Sequence, residues 1–158
     1  MDTNFAIADL HAFLLASARG GYAAEFPDQD RDEPDGSHTV TFSQGDWRSH
    51  DNFFGGEPYG GRIVVSYVGK PVWIMVYYGH ASESFADTKP IYEMLLTALK
   101  AVPEEMPLRG PAELVKGEWK YANLWTGTIK RFSGEEQIYV ESKKVYEANY
   151  MGGLVDGR

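Results

Sequence analysis

Residues 62–79 constrain the fold more than any other stretch of this chain. They contain two runs of β-branched and aromatic residues, 63–68 and 72–78, which are separated by Gly69 and Lys70 and a proline. Two such runs joined through a Gly-X pair predict a β-hairpin, because glycine at the first turn position allows the positive φ of a type II′ turn. Both faces of both runs are apolar, so the hairpin must be covered on both sides. We therefore predict that it lies in the middle of a sheet.

Two helices are predicted, one before and one after the hairpin. The first covers residues 3–19, where an apolar stripe at helical spacing ends at a glycine pair. The second follows Asp87 and Thr88, has the cleanest helical period of the chain between residues 91 and 102, and ends at Pro103. Because an apolar helical stripe has to be buried, we predict that both helices pack on one face of the sheet.

Strand-like patterns fill much of the remaining chain. They occur at 38–42 and, after a proline- and glycine-rich crossover at about 103–117, at 118–125, 128–132, 136–141 and 145–151, with turns at 126–127, 133–134 and 142–143. The sequence therefore predicts one α+β domain over residues 1–158. Its core would be a curved, mostly antiparallel sheet of about six to eight strands with two helices packed on one face.

Residues 25–36 are rich in acidic side chains and contain two prolines, which predicts a loop. Asp28, Asp30 and Asp32 have the spacing that opens a calcium-binding loop. The sixth position of that motif should be glycine and the twelfth glutamate, but the chain has Glu33 and Thr39 there. We therefore predict a solvated acidic loop and no metal site.

Charge and composition exclude several classes of protein. The formal charge is −8, from 23 acidic and 15 basic residues, which argues against a direct nucleic-acid surface. The chain has no cysteine, so disulfides, thiolate catalysis and cysteine zinc sites are excluded. Membrane-length apolar runs and nucleotide-binding motifs are both missing, so we expect a soluble cytoplasmic protein without a membrane partner and predict no cofactor.

Aromatic and polar residues near strand ends are the candidates for a binding site. We expect the aromatic ones to line a concave face of the sheet opposite the helices, and the polar ones to orient a ligand there. The first functional hypothesis is therefore a sensor-type module that binds an unidentified small molecule. The candidate residues are Trp47, Asp51, Trp73, Tyr77, Arg109 and Glu136.

Three alternatives stay open. Asp51 or Glu136 could act as acid or base beside His50 or His80, which would make the protein a hydrolase or isomerase, and His50, Asp51 and His80 could even hold a metal. An exposed strand or aromatic patch could form a homodimer. Arg109 could simply form an ion pair with Glu136 or Asp51, in which case these residues are structural.

Several short motifs occur in a defined order along the chain. They are Asp46-Trp47-Arg48 to Asp51 with Phe54-Gly55-Gly56, Pro71-x-Trp73-x-Met75-x-Tyr77-Tyr78-Gly79, Arg109-Gly110-Pro111, Phe132-x-Gly134-Glu135-Glu136-x-Ile138, and Tyr146 through Gly152-Gly153. Together they resemble a small bacterial family, a domain of unknown function that is found alone or fused behind helix-turn-helix regulators of the XRE type. The resemblance spans about residues 10–154.

This resemblance implies an effector-sensing or oligomerising module. It brings with it no established reaction and no agreed catalytic residues. The chain lacks the helix-turn-helix of the fused relatives, because its first predicted helix runs into Gly20-Gly21 and the acidic loop. We therefore expect no direct contact with DNA.

Overall fold

The structure is a computed structural model and describes residues 4–20 and 29–156. These residues form two helices and nine strands. In chain order the elements are α1 (Ile7–Gly20), β1 (Gln29–Asp32), β2 (His38–Gln44), β3 (Trp47–Gly55), β4 (Tyr59–Tyr67), β5 (Lys70–Ala81), α2 (Lys89–Lys100), β6 (Glu113–Lys116), β7 (Trp119–Thr128), β8 (Arg131–Val140) and β9 (Lys143–Leu154).

All nine strands form one antiparallel sheet in the order β1-β2-β3-β4-β5-β9-β8-β7-β6. The chain runs as a meander from one edge to β5, crosses over through α2 to the other edge, and returns as a second meander until β9 pairs with β5. The predicted α+β class and antiparallel sheet are confirmed. The described residues form nine strands, however, and the predicted six to eight is too low.

Additional strands lie where the sequence is polar. Asp30, Arg31 and Asp32 belong to β1, inside the stretch predicted to be an acidic loop, and residues 33–37 connect β1 to β2. Residues 25–28 of that predicted loop lie outside the described residues. The predicted crossover at 103–117 contains the short edge strand β6. Both edge strands are four residues long, too short to show the alternation from which strands are recognised.

The central hairpin is confirmed, but its turn lies one residue earlier than predicted. Tyr67 pairs with Lys70, and the two residues between them, Val68 and Gly69, have φ of 48° and 73°. Two positive φ values in a two-residue loop are typical of a type I′ turn, not of the predicted type II′ turn. The register also shifts between Val65 and Ser66, which takes up the difference.

Two of the three turns predicted near the end of the chain, at 126–127 and 133–134, are wrong, and the third lies one residue from the turn at 141–142 that joins β8 to β9. Residues 126–127 belong to β7, and 133–134 belong to β8, and these two strands pair without interruption from Trp119 opposite Val140 to Thr128 opposite Arg131. Gly134 was interpreted as a turn residue but lies inside a strand opposite Trp125. Glycine in a strand interior often marks a place where another group approaches the backbone closely, and the site described below shows which group that is.

Both helices cover the same face of the sheet. Leu10 and Phe13 of α1 pack in one cluster with Trp73, while the α2 residues Ile91 and Leu95 pack in a second cluster with side chains of β7, β8 and β9. The opposite face leaves alternate residues of the strands exposed to solvent. Neither described helix combines the length and the hydrophobicity needed to cross a membrane.

Trp47, Trp73 and Tyr77 point towards the helices, and the prediction that they line the face opposite the helices is wrong. Trp73 is 1 % exposed and Tyr77 is 9 % exposed. Strand alternation places them on the same side as Met75, and the helix stripes bury the side of the sheet that has the largest apolar surface.

Candidate functional site

A cross-strand row of residues beneath the helices forms the base of the candidate site. Asn123 on β7 pairs with Glu136 on β8, Glu136 with Ala148 on β9, Ala148 with Gly79 on β5, and Gly79 with Tyr59 on β4. Directly paired residues of antiparallel strands project to the same face. The row therefore gathers a carboxylate, an amide and a phenol around two small residues at the middle of the sheet.

The glycines on this face make room for tyrosine rings. A Cβ atom on Gly79 would lie 2.7 Å from the Tyr146 hydroxyl and 2.9 Å from the ring of Tyr59, and one on Gly134 would lie 2.1 Å from Cζ of Tyr150. Each tyrosine ring thus lies flat over a neighbouring strand where a larger residue would stand. As a result the phenol groups converge towards the same point, and the hydroxyls of Tyr59 and Tyr146 hydrogen-bond to each other.

Arg109 enters this cluster from the segment between α2 and β6. Its Nε donates to Oε1 of Glu136 at 2.7 Å, and its Nη2 donates to the Tyr59 hydroxyl at 3.4 Å. The Tyr121 hydroxyl donates to Oε2 of Glu136 at 2.6 Å. The Arg109 side chain is 10 % exposed and that of Glu136 is 0 % exposed, so this is a buried ion pair. The second oxygen of the Glu136 carboxylate accepts the hydrogen bond from Tyr121.

The backbone next to Arg109 is held in place by the same face of the sheet. The Gly110 amide donates to the Tyr121 hydroxyl at 3.1 Å, and Nδ2 of Asn123 donates to the Gly110 carbonyl at 2.8 Å. Tyr150 in turn donates to Oδ1 of Asn123 at 2.7 Å. A residue fixed by its ion pair and by the hydrogen bonds of its neighbour has few alternative positions, so the guanidinium is pre-organised.

Burial and charge set the protonation states of this cluster. Burial raises the pKa of the Tyr121 and Tyr146 hydroxyls, with the Glu136 carboxylate acting in the same direction, so both phenols stay protonated. Burial opposes the positive charge of Arg109, but the Glu136 carboxylate outweighs it and holds the pKa of Arg109 above its usual range. The cluster is therefore a cation paired with an anion and surrounded by neutral hydroxyl donors.

Asp51 of β3 lies beside this cluster and is hydrogen-bonded to Tyr77. The Tyr77 hydroxyl donates to Oδ1 of Asp51 at 2.5 Å, and the Arg109 guanidinium carbon lies 5.6 Å from the centre of the Tyr77 ring, within cation–π distance. Burial raises the pKa of Asp51 to about 6, although the Tyr77 hydrogen bond and the Arg109 charge act against that rise. Asp51 therefore changes its protonation near pH 6.

A cavity of about 240 Å³ opens between the sheet and α2, and we call it the α2 cavity. Asp51, Tyr77 and Arg109 form its polar side, and aromatic and leucine side chains form its walls. A smaller cavity of about 100 Å³ lies between α1 and the sheet and shares Asp51, Arg109 and Leu99 with the first. The residues that form the walls of the α2 cavity include Phe53, Tyr59, Tyr92, Leu95, Leu96 and Leu99.

The structure brings together some of the predicted site residues and separates others. Asp51, Tyr77 and Arg109 all line the α2 cavity, and Glu136 lies behind Arg109 as its ion-pair partner. Trp73 lines only the smaller cavity, and its indole N–H donates to the Ile129 carbonyl at 2.8 Å. Trp47 lies apart from both cavities, with its ring stacked on Phe13 at 5.5 Å between centroids. The two tryptophans are thus core residues.

The histidines predicted to assist catalysis lie on the other face of the sheet. His50 is adjacent to Asp51 in β3, so strand alternation points it away from the helices, and His80 contacts Glu147 at 3.2 Å. Neither forms the acid–base pair with Asp51 or Glu136 that the enzyme hypothesis requires. Within 4–20 and 29–156, no three His, Asp or Glu side chains are grouped as a metal site, so the hypothetical site from His50, Asp51 and His80 is not formed.

Several residues of the site carry no sequence signal of their own. Tyr59, Tyr121, Tyr146 and Asn123 become recognisable only once the strand register is known, because register decides which side chains share a row. One signal does exist in the sequence. Glycines inside strand-like runs, such as Gly79, indicate close approach by another group.

Comparison with known protein families assigns residues 51–155, which include most of the candidate site, to one family. A family model described as a domain of unknown function, DUF5680, matches residues 51–155. The chain belongs to the DUF5680 family. The match includes Asp51, Tyr77, Arg109 and Glu136, and it begins within β3, so α1, β1 and β2 lie outside it. No curated protein sequence and no solved structure matches the chain. Membership in DUF5680 names the domain without assigning it an activity.

Proposed function

We propose that this DUF5680 protein binds a small molecule in the α2 cavity and acts as an effector-sensing module. The observation that carries the proposal is the meeting of Arg109 and Asp51 on one side of an otherwise apolar cavity. Binding sites for small molecules are concave and largely apolar, with a few polar groups that fix the orientation of the ligand. The resemblance to bacterial domains fused to XRE-type regulators favours a sensing role over a purely structural one.

Hydrogen bonds within the protein leave specific polar atoms of the cavity for a ligand. Within the described residues, the Tyr77 and Tyr59 hydroxyls bond to Asp51 and Tyr146, while Nη1 of Arg109 and Oδ2 of Asp51 have no hydrogen-bond partner. No buried side-chain nitrogen or oxygen of the described residues is left unsatisfied. These two atoms must therefore be accessible. Both residues line the α2 cavity and the smaller cavity beside it, and the α2 cavity is the larger of the two.

The residues that hold Arg109 and Gly110 in place favour a binding site over a merely packed core. Arg109 is held by Glu136, and the adjoining Gly110 by Tyr121 and Asn123, so the guanidinium is held in position before any ligand binds. Pre-organisation of this kind raises affinity, because little conformational entropy is lost when a ligand binds. A polar group that served only to fill the core would not need it.

A thermal-shift screen with two matched variants tests this proposal. A metabolite present at 100 times its Kd adds about 2.7 kcal/mol of stability, which for a chain of this length raises Tm by roughly 5–10 °C. Leu96→Trp fills the α2 cavity and should abolish the shift. Leu124→Trp places the same new side chain at a position that is 76 % exposed on the opposite face and should leave the shift intact. A hit that both variants retain would place the binding site elsewhere.

A second candidate function is homodimerisation through the helix-free face. Val76, Tyr78, Leu124 and Met151 line one shallow depression there and are 42 %, 55 %, 76 % and 57 % exposed. Contiguous exposed apolar side chains are typical of interaction surfaces. Sedimentation equilibrium of the wild type and of Leu124→Glu tests this candidate. A concentration-dependent mass that the substitution abolishes supports it, and a monomer at all concentrations excludes it.

A further inference from the structure

We infer that the α2 cavity selects a neutral, planar ligand whose polar edge carries a hydrogen-bond acceptor next to a donor, such as a carboxamide or an amide-containing heterocycle. This inference rests on the proposed function, because it names the chemistry of the ligand that the cavity binds.

The charges and donors of the cavity disfavour both anions and cations. The Arg109 guanidinium is already neutralised by Glu136 at 2.7 Å, so a ligand anion gains little from it. Asp51 adds a further negative charge at neutral pH and would repel that anion. A ligand cation would be attracted by Asp51, but an ammonium group has no hydrogen-bond acceptor for the Arg109 guanidinium. It would leave that donor unpaired on a side chain that is only 10 % exposed. A neutral ligand avoids both penalties.

The free hydrogen-bonding atoms call for a ligand with both a donor and an acceptor. Among the described residues, Nη1 of Arg109 remains a donor without a partner, and Oδ2 of Asp51 remains an acceptor without a partner. A ligand that satisfies only one of them leaves the other desolvated and unpaired, which weakens binding. A carboxamide presents a carbonyl and an N–H₂ group side by side and can satisfy both.

The walls of the cavity fit a flat ring. Phe53, Tyr59, Tyr77 and Tyr92 contribute aromatic rings, and the side facing α2 is formed by leucines. Aromatic rings favour offset-stacked or edge-on contacts with another ring. The volume of about 240 Å³ lies below the range of about 300–1,000 Å³ that holds drug-sized ligands, so a ligand of one or two fused rings is expected.

Three probes of equal size and different charge test the inference directly. Benzamide, benzoate and benzylamine share one ring and differ only in the group attached to it, and their binding is measured at pH 7.5 from amide chemical shifts. We expect benzamide to shift resonances of β3, β5 and the Gly110 region, and the two charged probes to bind at least about tenfold more weakly. Benzoate or benzylamine binding more tightly than benzamide would overturn the inference in favour of an anion or a cation site.

Asp51→Asn provides a second, independent readout. The substitution keeps the shape of the side chain and removes its charge, so benzoate should bind about tenfold more tightly than it binds the wild type, while benzamide binding weakens. Asp46→Asn removes the same charge from an exposed turn and should change neither affinity. Unchanged benzoate affinity in Asp51→Asn would contradict the role assigned to Asp51.

The outcomes distinguish this inference from the function on which it rests. If none of the three probes binds but the metabolite screen yields a ligand that Leu96→Trp abolishes, the cavity is a binding site and the assigned ligand class is wrong. If no probe and no metabolite binds, both the inference and the proposed function fail.

Discussion

Removing either member of the buried Arg109–Glu136 pair should destabilise the protein much more than removing both. Arg109→Met leaves a carboxylate that is 0 % exposed without its cation, and Glu136→Leu leaves a guanidinium that is 10 % exposed without its anion. Breaking a buried ion pair by truncating one partner typically costs about 3–5 kcal/mol, because the remaining charge stays desolvated. Each single variant should therefore lose about 3–5 kcal/mol of unfolding free energy.

The double variant should lose far less than the sum of these two losses. Replacing a buried pair with apolar residues of similar volume is often nearly neutral, and the remaining penalty here is the Tyr121 hydroxyl, which loses Glu136 as its acceptor. That penalty is about 1–3 kcal/mol. We therefore expect the double variant to be at least about 3 kcal/mol more stable than additivity predicts.

Urea unfolding followed by tryptophan fluorescence measures all four proteins of this cycle. Lys120 and Glu113 provide the matched control, because their ion pair of 2.6 Å joins side chains that are 47 % and 58 % exposed. The corresponding cycle, Lys120→Met with Glu113→Leu, should show a coupling below about 1 kcal/mol. Additive losses at Arg109 and Glu136, with unchanged m-values, would refute the reasoning that the two charges depend on each other.

Two further predictions concern neighbouring groups. Burial raises the pKa of Asp51 to about 6, so protonation of Asp51 stabilises the folded protein. This stabilisation is fully present below the pKa that Asp51 has in the unfolded chain, and it is lost as the pH rises through 6. The unfolding free energy of Asp51→Asn, relative to that of the wild type, should therefore rise by on the order of 2 kcal/mol from pH 5 to pH 8. Denaturant unfolding of both proteins at both pH values measures this difference. The other titratable groups that act on Asp51 are Tyr77, Arg109 and His38, and equal stability differences at both pH values would contradict the assignment. Gly134→Ala should cost about 1–3 kcal/mol, because its Cβ would lie 2.1 Å from Tyr150, whereas Gly56→Ala meets no atom within 4 Å and should be close to neutral by thermal melting.

The parts of the fold that could be predicted are those with a strong local signal. The two apolar runs at 63–68 and 72–78 indicate the central hairpin, and the stripe between 91 and 102 indicates α2, because hydrophobic periodicity records which face of an element is buried. The edge strand β1 could not be predicted this way. Its sequence Gln-Asp-Arg-Asp has no apolar residue, and it is joined to β2 by backbone pairing and by contacts of His38 with Asp30 and Asp32, which leave no hydrophobic pattern in the sequence.

The sequence predicts several residues of the candidate site but not where they lie relative to one another. The pairing of Arg109 with Glu136 was one of two ion pairs that the sequence left open, and the structure shows this one. The location of Asp51 beside Arg109, and of His50 on the other face, depends on β3, a strand that the sequence does not predict. A change of one residue in the strand register would have exchanged the two faces.

The glycines explain why register and site are linked in this fold. Gly79 and Gly134 are the positions where the rings of Tyr59, Tyr146 and Tyr150 cross a neighbouring strand. A tyrosine that lies across a strand delivers its hydroxyl about one strand away from its own backbone, and phenols from different strands can then meet at one carboxylate or amide. Glycines that weaken the strands locally thus allow the hydrogen bonds that hold Arg109 and Gly110 in place. In a binding site we expect such glycines, because they lower strand stability but fix the position of a guanidinium. A sheet that served only as a scaffold would not need a fixed guanidinium.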